Sequence, residues 1–116
     1  MSERLGTVRI SSQVLATIAR LATLAVPGVL RMYRDLSSGM DRLWKGRGAG
    51  DGIRVEVIDD AVLVDIAVIV AHEVNIYEVG CEIQARVSRA IKDMVGMPVL
   101  AVNVHVENVE SAPTNE

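Results

Sequence analysis

The chain has 116 residues and a formal charge of −3; half of it is apolar, yet it holds one Trp, two Tyr and no Phe. That length suits one domain around one core, while so few aromatic rings leave little to stack on bases and the negative balance confines any polyanion-binding field to a local patch. A single cysteine, Cys81, excludes an intramolecular disulfide and fits a reducing compartment.

The amino terminus, "MSERLGTVRISSQ", is charged and polar where a signal peptide has an apolar run, and the longest apolar run, "IAVIVA" at 66–71, is too short to cross a bilayer. A soluble, cytoplasmic protein is expected, with any membrane association made through a partner. "GTVRIS" alternates Val8 and Ile10 against Thr7 and Arg9, the pattern of a short strand. The period then changes. In "SSQVLATIARLATLAV", Val14, Ile18, Leu21 and Ala25 share one helical face, widened by Leu15, Ala22 and Val26. Ser11 or Ser12 can cap this helix, and Pro27-Gly28 ends it.

"VLRMY" at 29–33 reads as a strand with Val29, Arg31 and Tyr33 opposite Leu30 and Met32. In "DLSSGMDRLWKGRGAGDG" Gly, Ser and Asp interrupt every period, so a loop is expected. "IRVEVI" alternates again, with Ile53, Val55 and Val57 inward. Asp59-Asp60 forms a tight turn, and "AVLVDIAVIVA" returns with Val62, Val64, Ile66, Val68 and Val70 on one face. The strongest helix is "VNIYEVGCEIQARVSRAIKDMVG": Asn75 and Glu78 have capping-box spacing, and Ile76, Val79, Ile83, Val87, Ile91 and Met94 form the stripe that should be buried. Glu82–Arg86 and Arg89–Asp93 are spaced as charge pairs, and Gly96 and Pro98 stop the helix. The last strand, "VLAVNVHVENV", should turn Leu100, Val102, Val104 and Val106 to the core.

The expected fold is α+β: a two-layer sandwich of two helices on one face of a mostly antiparallel sheet, in the order β-α-β-β-β-α-β. The whole chain, 1–116, is expected to form one domain, with an ordered core at about 6–109, a flexible loop at 36–52 and a disordered tail at 110–116. The sheet's other face carries Leu63, Ala67, Ile69, Val99 and Ala101, more apolar than a solvated face requires. A second copy of the same sheet is the simplest cover, which makes Leu63, Ile69, Asn103 and His105 the candidate association residues.

Catalytic chemistry finds little support. Asp65, His105 and Glu107 can converge on that outer face, but only two imidazoles, His72 and His105, exist to hold a metal, and they lie on different segments. His72-Glu73 sits at a strand–helix boundary with no nucleophile nearby. Cys81 has no Cys-x-x-Cys partner and reads as a plain helical cysteine. No catalytic, cofactor-binding or metal-binding residue is therefore expected, and no cofactor. In the loop, Lys45 precedes Gly46, Gly48 and Gly50 and a strand follows them, so neither a P-loop nor a dinucleotide fingerprint is present. Arg42, Trp44, Lys45 and Arg47 form the candidate contact for an acidic partner, anionic headgroups or RNA backbone. A small RNA-binding module using this loop is the alternative function, although neither a Gly-x-x-Gly clamp nor sheet-face aromatics support it.

"GTVRIS", "IARLATLAVPGV", and the run from "GIRVEVIDDAVLVDIAVIVAHEV" through "EIQARV" to "MVGMPVLAVNVHVENV" together resemble the alkaline shock protein family, the envelope stress response family of Gram-positive bacteria. The resemblance spans Gly6 to Val109. Val95 stands where the family usually has Thr, and "AHEV" replaces a more typical Tyr-Gly; both departures fall at a turn or helix end. The resemblance implies a non-enzymatic cytoplasmic scaffold that forms larger assemblies and reaches the envelope through a membrane-anchored partner. Some members are linked to control of fatty-acid synthesis, which gives a second alternative, a metabolic regulator. The partners expected are other copies of the chain and a membrane-anchored protein, not nucleic acid.

Overall fold

A computed structural model describes residues 5–34 and 51–113. In chain order the elements are α1 (Ser12–Leu24), β1 (Val29–Met32), β2 (Ile53–Ile58), β3 (Ala61–Ala71), α2 (Ile76–Val95) and β4 (Val99–Glu110). The result is the expected two-layer α+β domain, both helices packing on one face of a four-stranded sheet.

β3 is the central strand. β1 and β2 both run antiparallel to it, and β4 lies parallel to it over nearly its full length. Parallel neighbours need a crossover, and α2 supplies it. β1 and β2 occupy successive halves of the same edge of β3. Ala67 shows why: its carbonyl accepts from Tyr33 N–H at 2.9 Å, just after β1, and its N–H donates to Gly52 at 2.8 Å, just before β2. Both groups of one strand residue point to one edge, so the two short strands lie end to end along β3.

Local signals fix the element ends. Ser11 caps α1, its hydroxyl accepting from Val14 N–H at 3.2 Å. Asn75 caps α2 by accepting from Glu78 N–H at 3.0 Å. Gly96 ends α2 in the left-handed region at φ 80°, its N–H donating to Lys92 at 2.9 Å. Asp59 and Asp60 take φ of 51° and 64°, the positive pair that a two-residue hairpin turn demands. On the wet side of α2, Arg86 bonds Glu82 at 2.7 Å, whereas Arg89 and Asp93 form no bridge to each other.

The core face of β3 is as the alternation requires: Val62, Val64, Ile66, Val68 and Val70 have no exposed surface, and Val79, Ile83, Val87 and Ile91 of α2 close over them. Four other expectations need correction. Residues 5–11 lie in neither helix nor strand, and Val8 is 90% exposed, because period-two patterning does not supply an edge to pair with. In α1 the buried line is Leu15, Ile18, Ala19, Thr23, while Val14 and Leu21 are exposed. Ala19, and Thr23 with its hydroxyl donating to the Ala19 carbonyl at 2.7 Å, are fully buried in the layer where α1 packs on the sheet and α2, while Val14 and Leu21 turn outward. In α2 the buried line ends at Val95; Ile76 and Met94 are exposed.

The fourth correction concerns β4. A bulge separates Val99↔Val62 from Ala101↔Leu63, leaving Leu100 as an extra residue that is 57% exposed, while Val99 packs against the core. An extra residue reverses the in–out alternation behind it. A second bulge, between Val106↔Val68 and Asn108↔Ile69, does the same at Glu107. At the other end of the chain β4 runs through Glu110, and Ser111 lies 2.9 Å from His72 Nε2, so the strand extends into the segment expected to be tail.

Candidate functional site

The outer sheet face is crossed by two rows of polar contacts. In the first, Arg54 of β2, Asp65 of β3 and Asn103 of β4 stand side by side in register. Arg54 Nη2 donates to Asp65 Oδ2 at 3.0 Å, and Asn103 Nδ2 donates to Asp65 Oδ1 at 2.9 Å. Partial burial by itself would raise the Asp65 carboxyl. The hydrogen bonds from Asn103 and Arg54, with the Arg54 charge and a smaller contribution from His105, outweigh it and hold the group below its ordinary value.

In the second row, Arg31 of β1 reaches Glu110 of β4 through two bonds of 2.8 Å. Arg31 is opposite Ile69 and Glu110 opposite Ala71, so the pair spans the central strand on its outer face. Hydrogen bonding to the guanidinium is the largest influence on Glu110 and, together with the Arg31 charge, holds it below the usual carboxylate value against an opposing effect of burial that exceeds the charge alone; the same bonds raise Arg31.

Between the rows lies an open concavity of about 380 Å³ lined by Gly52, Arg54, Asp65, Ala67, His105 and Glu107. Asp65, His105 and Glu107 thus share one depression, as acid–base chemistry would need. Yet both oxygens of Asp65 are already engaged, and no group of three metal-ligating side chains is arranged to hold an ion among the described residues. His72 is tied by its N–H to the Glu110 carbonyl at 2.9 Å and by its ring to Ser111, which makes it part of a strand end.

Of the candidate association residues, Asn103 and His105 are exposed and Leu63 is half-buried, all on the outer face. Ile69 is 5% exposed within the single chain, so it offers little area to a partner. At the start of β4 Val99 turns to the core and Leu100 is 57% exposed, the reverse of what strict alternation gives them. Larger apolar side chains are exposed on the helical layer: Val14, Leu21 and Leu24 along one stripe of α1, and Tyr77 and Met94 on α2. Alternation along β4 missed the inward turn of Val99 because a bulge leaves no mark in local periodicity. Arg42, Trp44, Lys45 and Arg47 lie outside the described residues.

Comparison with known proteins agrees with this fold. The chain is 32% identical over 114 residues to the uncharacterized protein Spy1535 of Streptococcus pyogenes serotype M6, covering 97% of this chain and 86% of that one. It is 26% identical over 106 residues to the uncharacterized protein YqhY of Bacillus subtilis, covering 91% of this chain and 78% of the relative. Among solved structures, MamM CTD in its copper form superposes with a TM-score of 0.59 at 17% identity, over 90% of this chain and 92% of the other. That likeness is one of fold. A family profile of cell envelope-related function matches residues 1–111, and the chain belongs to that family, the ASP23 or alkaline shock protein family.

Proposed function

We propose that this protein is a non-enzymatic scaffold of the cell envelope that self-associates and binds a membrane-anchored or metabolic partner protein. The supporting observation is the large apolar surface that the described residues leave uncovered on the helical layer: Leu21 is 61% exposed and Tyr77 80%, and Val14 and Leu24 of α1 and Met94 of α2 are exposed as well. Soluble monomers rarely leave extended apolar areas uncovered, and such areas usually mark contact sites. Leu63, Asn103 and His105 offer a second, wetter contact on the outer sheet face. No helix among the described residues is long and apolar enough to cross a membrane, so an envelope role would be reached by a peripheral, cytoplasmic protein through its partner.

The test of self-association is light scattering across a hundredfold concentration range, where a mass above one chain that rises with concentration is expected. A monomer throughout would overturn it. For the partner, crosslinking in native cells should join the protein to a membrane-anchored neighbour or a metabolic enzyme, and recovery of the chain alone would remove that part of the reading.

A further inference from the structure

β4 is bonded to β3 along one edge only, and among the described residues no strand lies on its other edge. Gln84 of α2 identifies the groups that face outward there: its Nε2 donates to the Val102 carbonyl at 3.0 Å, so that carbonyl points away from β3. Backbone direction repeats every second residue, and no bulge intervenes before Val106. The N–H and C=O groups of Val104 and Val106 therefore open on the same side.

Beside this edge runs a groove of about 490 Å³ between α2 and β4, with Tyr77, Gly80, Cys81, Gln84, Val104 and Val106 in its walls. Gly80 lies inside α2, where glycine costs about 1 kcal/mol relative to alanine. A Cβ there would meet nothing within 4 Å among the described residues, so no close packing among them demands the glycine. The site thus combines unpaired backbone groups, apolar walls and a helix surface with no side chain over it, which is what an added strand requires.

The chain also holds a strand-patterned segment that pairs with no strand among the described residues. Val8 and Ile10 alternate with Thr7 and Arg9, and all four are exposed. We propose that residues 6–11 of a second copy add as a strand to the free edge of β4, placing Val8 and Ile10 in the groove beside α2. Alternation then sends Arg9 to the outer face, where Glu107 is exposed and has no ion pair among the described residues, so charge as well as shape is complementary. The occupant is a second copy because the arm leads into α1, which packs on β1, β2 and α2, leaving α2 between the arm's root and its own β4 edge.

The inference rests on the self-association reading and gives it a site distinct from the outer face. Light scattering of the full chain is compared for the wild type, Val8→Asp and Gly80→Leu. Both variants should lower the assembled mass, while Gly80→Leu should melt no lower than the wild type, because it fills open space on a helix. Val8→Cys should crosslink to Cys81 between chains on mild oxidation, giving a covalent dimer that Val8→Cys/Cys81→Ser lacks. A disulfide confined to one chain, no disulfide at all, or wild-type mass in both Val8→Asp and Gly80→Leu would overturn the proposal while leaving self-association intact. A wild type that is monomeric throughout would overturn both.

Discussion

Arg31 and Glu110, 79 positions apart in the chain, are joined by two bonds of 2.8 Å across the central strand. The clasp ties the short β1 to the last residue of β4, two strands with no ladder between them.

Acid should loosen both polar rows. Glu110 and Asp65 have carboxyl groups held below their ordinary values, so each contributes stability that is present above its unfolded-state value and lost as pH falls through its lower folded-state value. Urea midpoints measured from neutral to acid pH should therefore fall, and Glu110→Gln should flatten part of that slope. Asp65→Ala removes two charge-assisted hydrogen bonds and should cost about 1–2 kcal/mol at neutral pH. An unchanged pH slope in Glu110→Gln would mean that the clasp does not hold in solution.

The junction between β1 and β2 should tolerate only glycine at position 52. Gly52 has φ of 81°, and a Cβ there would lie 2.7 Å from the Tyr33 carbonyl oxygen and 2.9 Å from that of Ala67. Gly52→Ala should cost about 1–3 kcal/mol in backbone strain alone, with the carbonyl contacts added to it. Chemical denaturation measures this directly, and a stability within error of the wild type would contradict the geometry.

The orientation of α1 predicts opposite results for two neighbouring positions. Ala19 has no exposed surface, so Ala19→Leu should destabilise by about 1–3 kcal/mol through overpacking. Leu21 is exposed, so Leu21→Lys should stay within about 0.5 kcal/mol of the wild type. Thermal unfolding of both variants decides whether the helix is turned as described.

On the outer sheet face, Leu63→Lys should leave folding near wild type and reduce the assembled mass seen by light scattering. Ile69→Lys places a charge where the native side chain is 5% exposed, so it should lower thermal stability clearly. If Leu63→Lys keeps the full assembled mass, the outer face is not a contact, whatever happens at the β4 edge.

The sequence by itself determined the features that depend on near neighbours. Alternation through Val62, Val64, Ile66, Val68 and Val70 identified the core face of β3, and Asn75, Gly96 and Asp59-Asp60 marked a helix start, a helix end and a hairpin turn, because caps and turns are solved within a few residues. The order of segments also pointed to the right family. Tertiary structure alone decided the rest. Extra residues at Leu100 and Glu107 reset which side chains of β4 face inward, and the packing of α1 on the sheet and α2 buried Ala19 and Thr23 rather than Leu21. It also set β1 and β2 on a single edge, brought Arg31 to Glu110, and left the strand-like residues 6–11 paired with no strand among the described residues. Periodicity records which side chains share a face, but which face is covered, and which edge finds a partner, depends on residues distant in the chain.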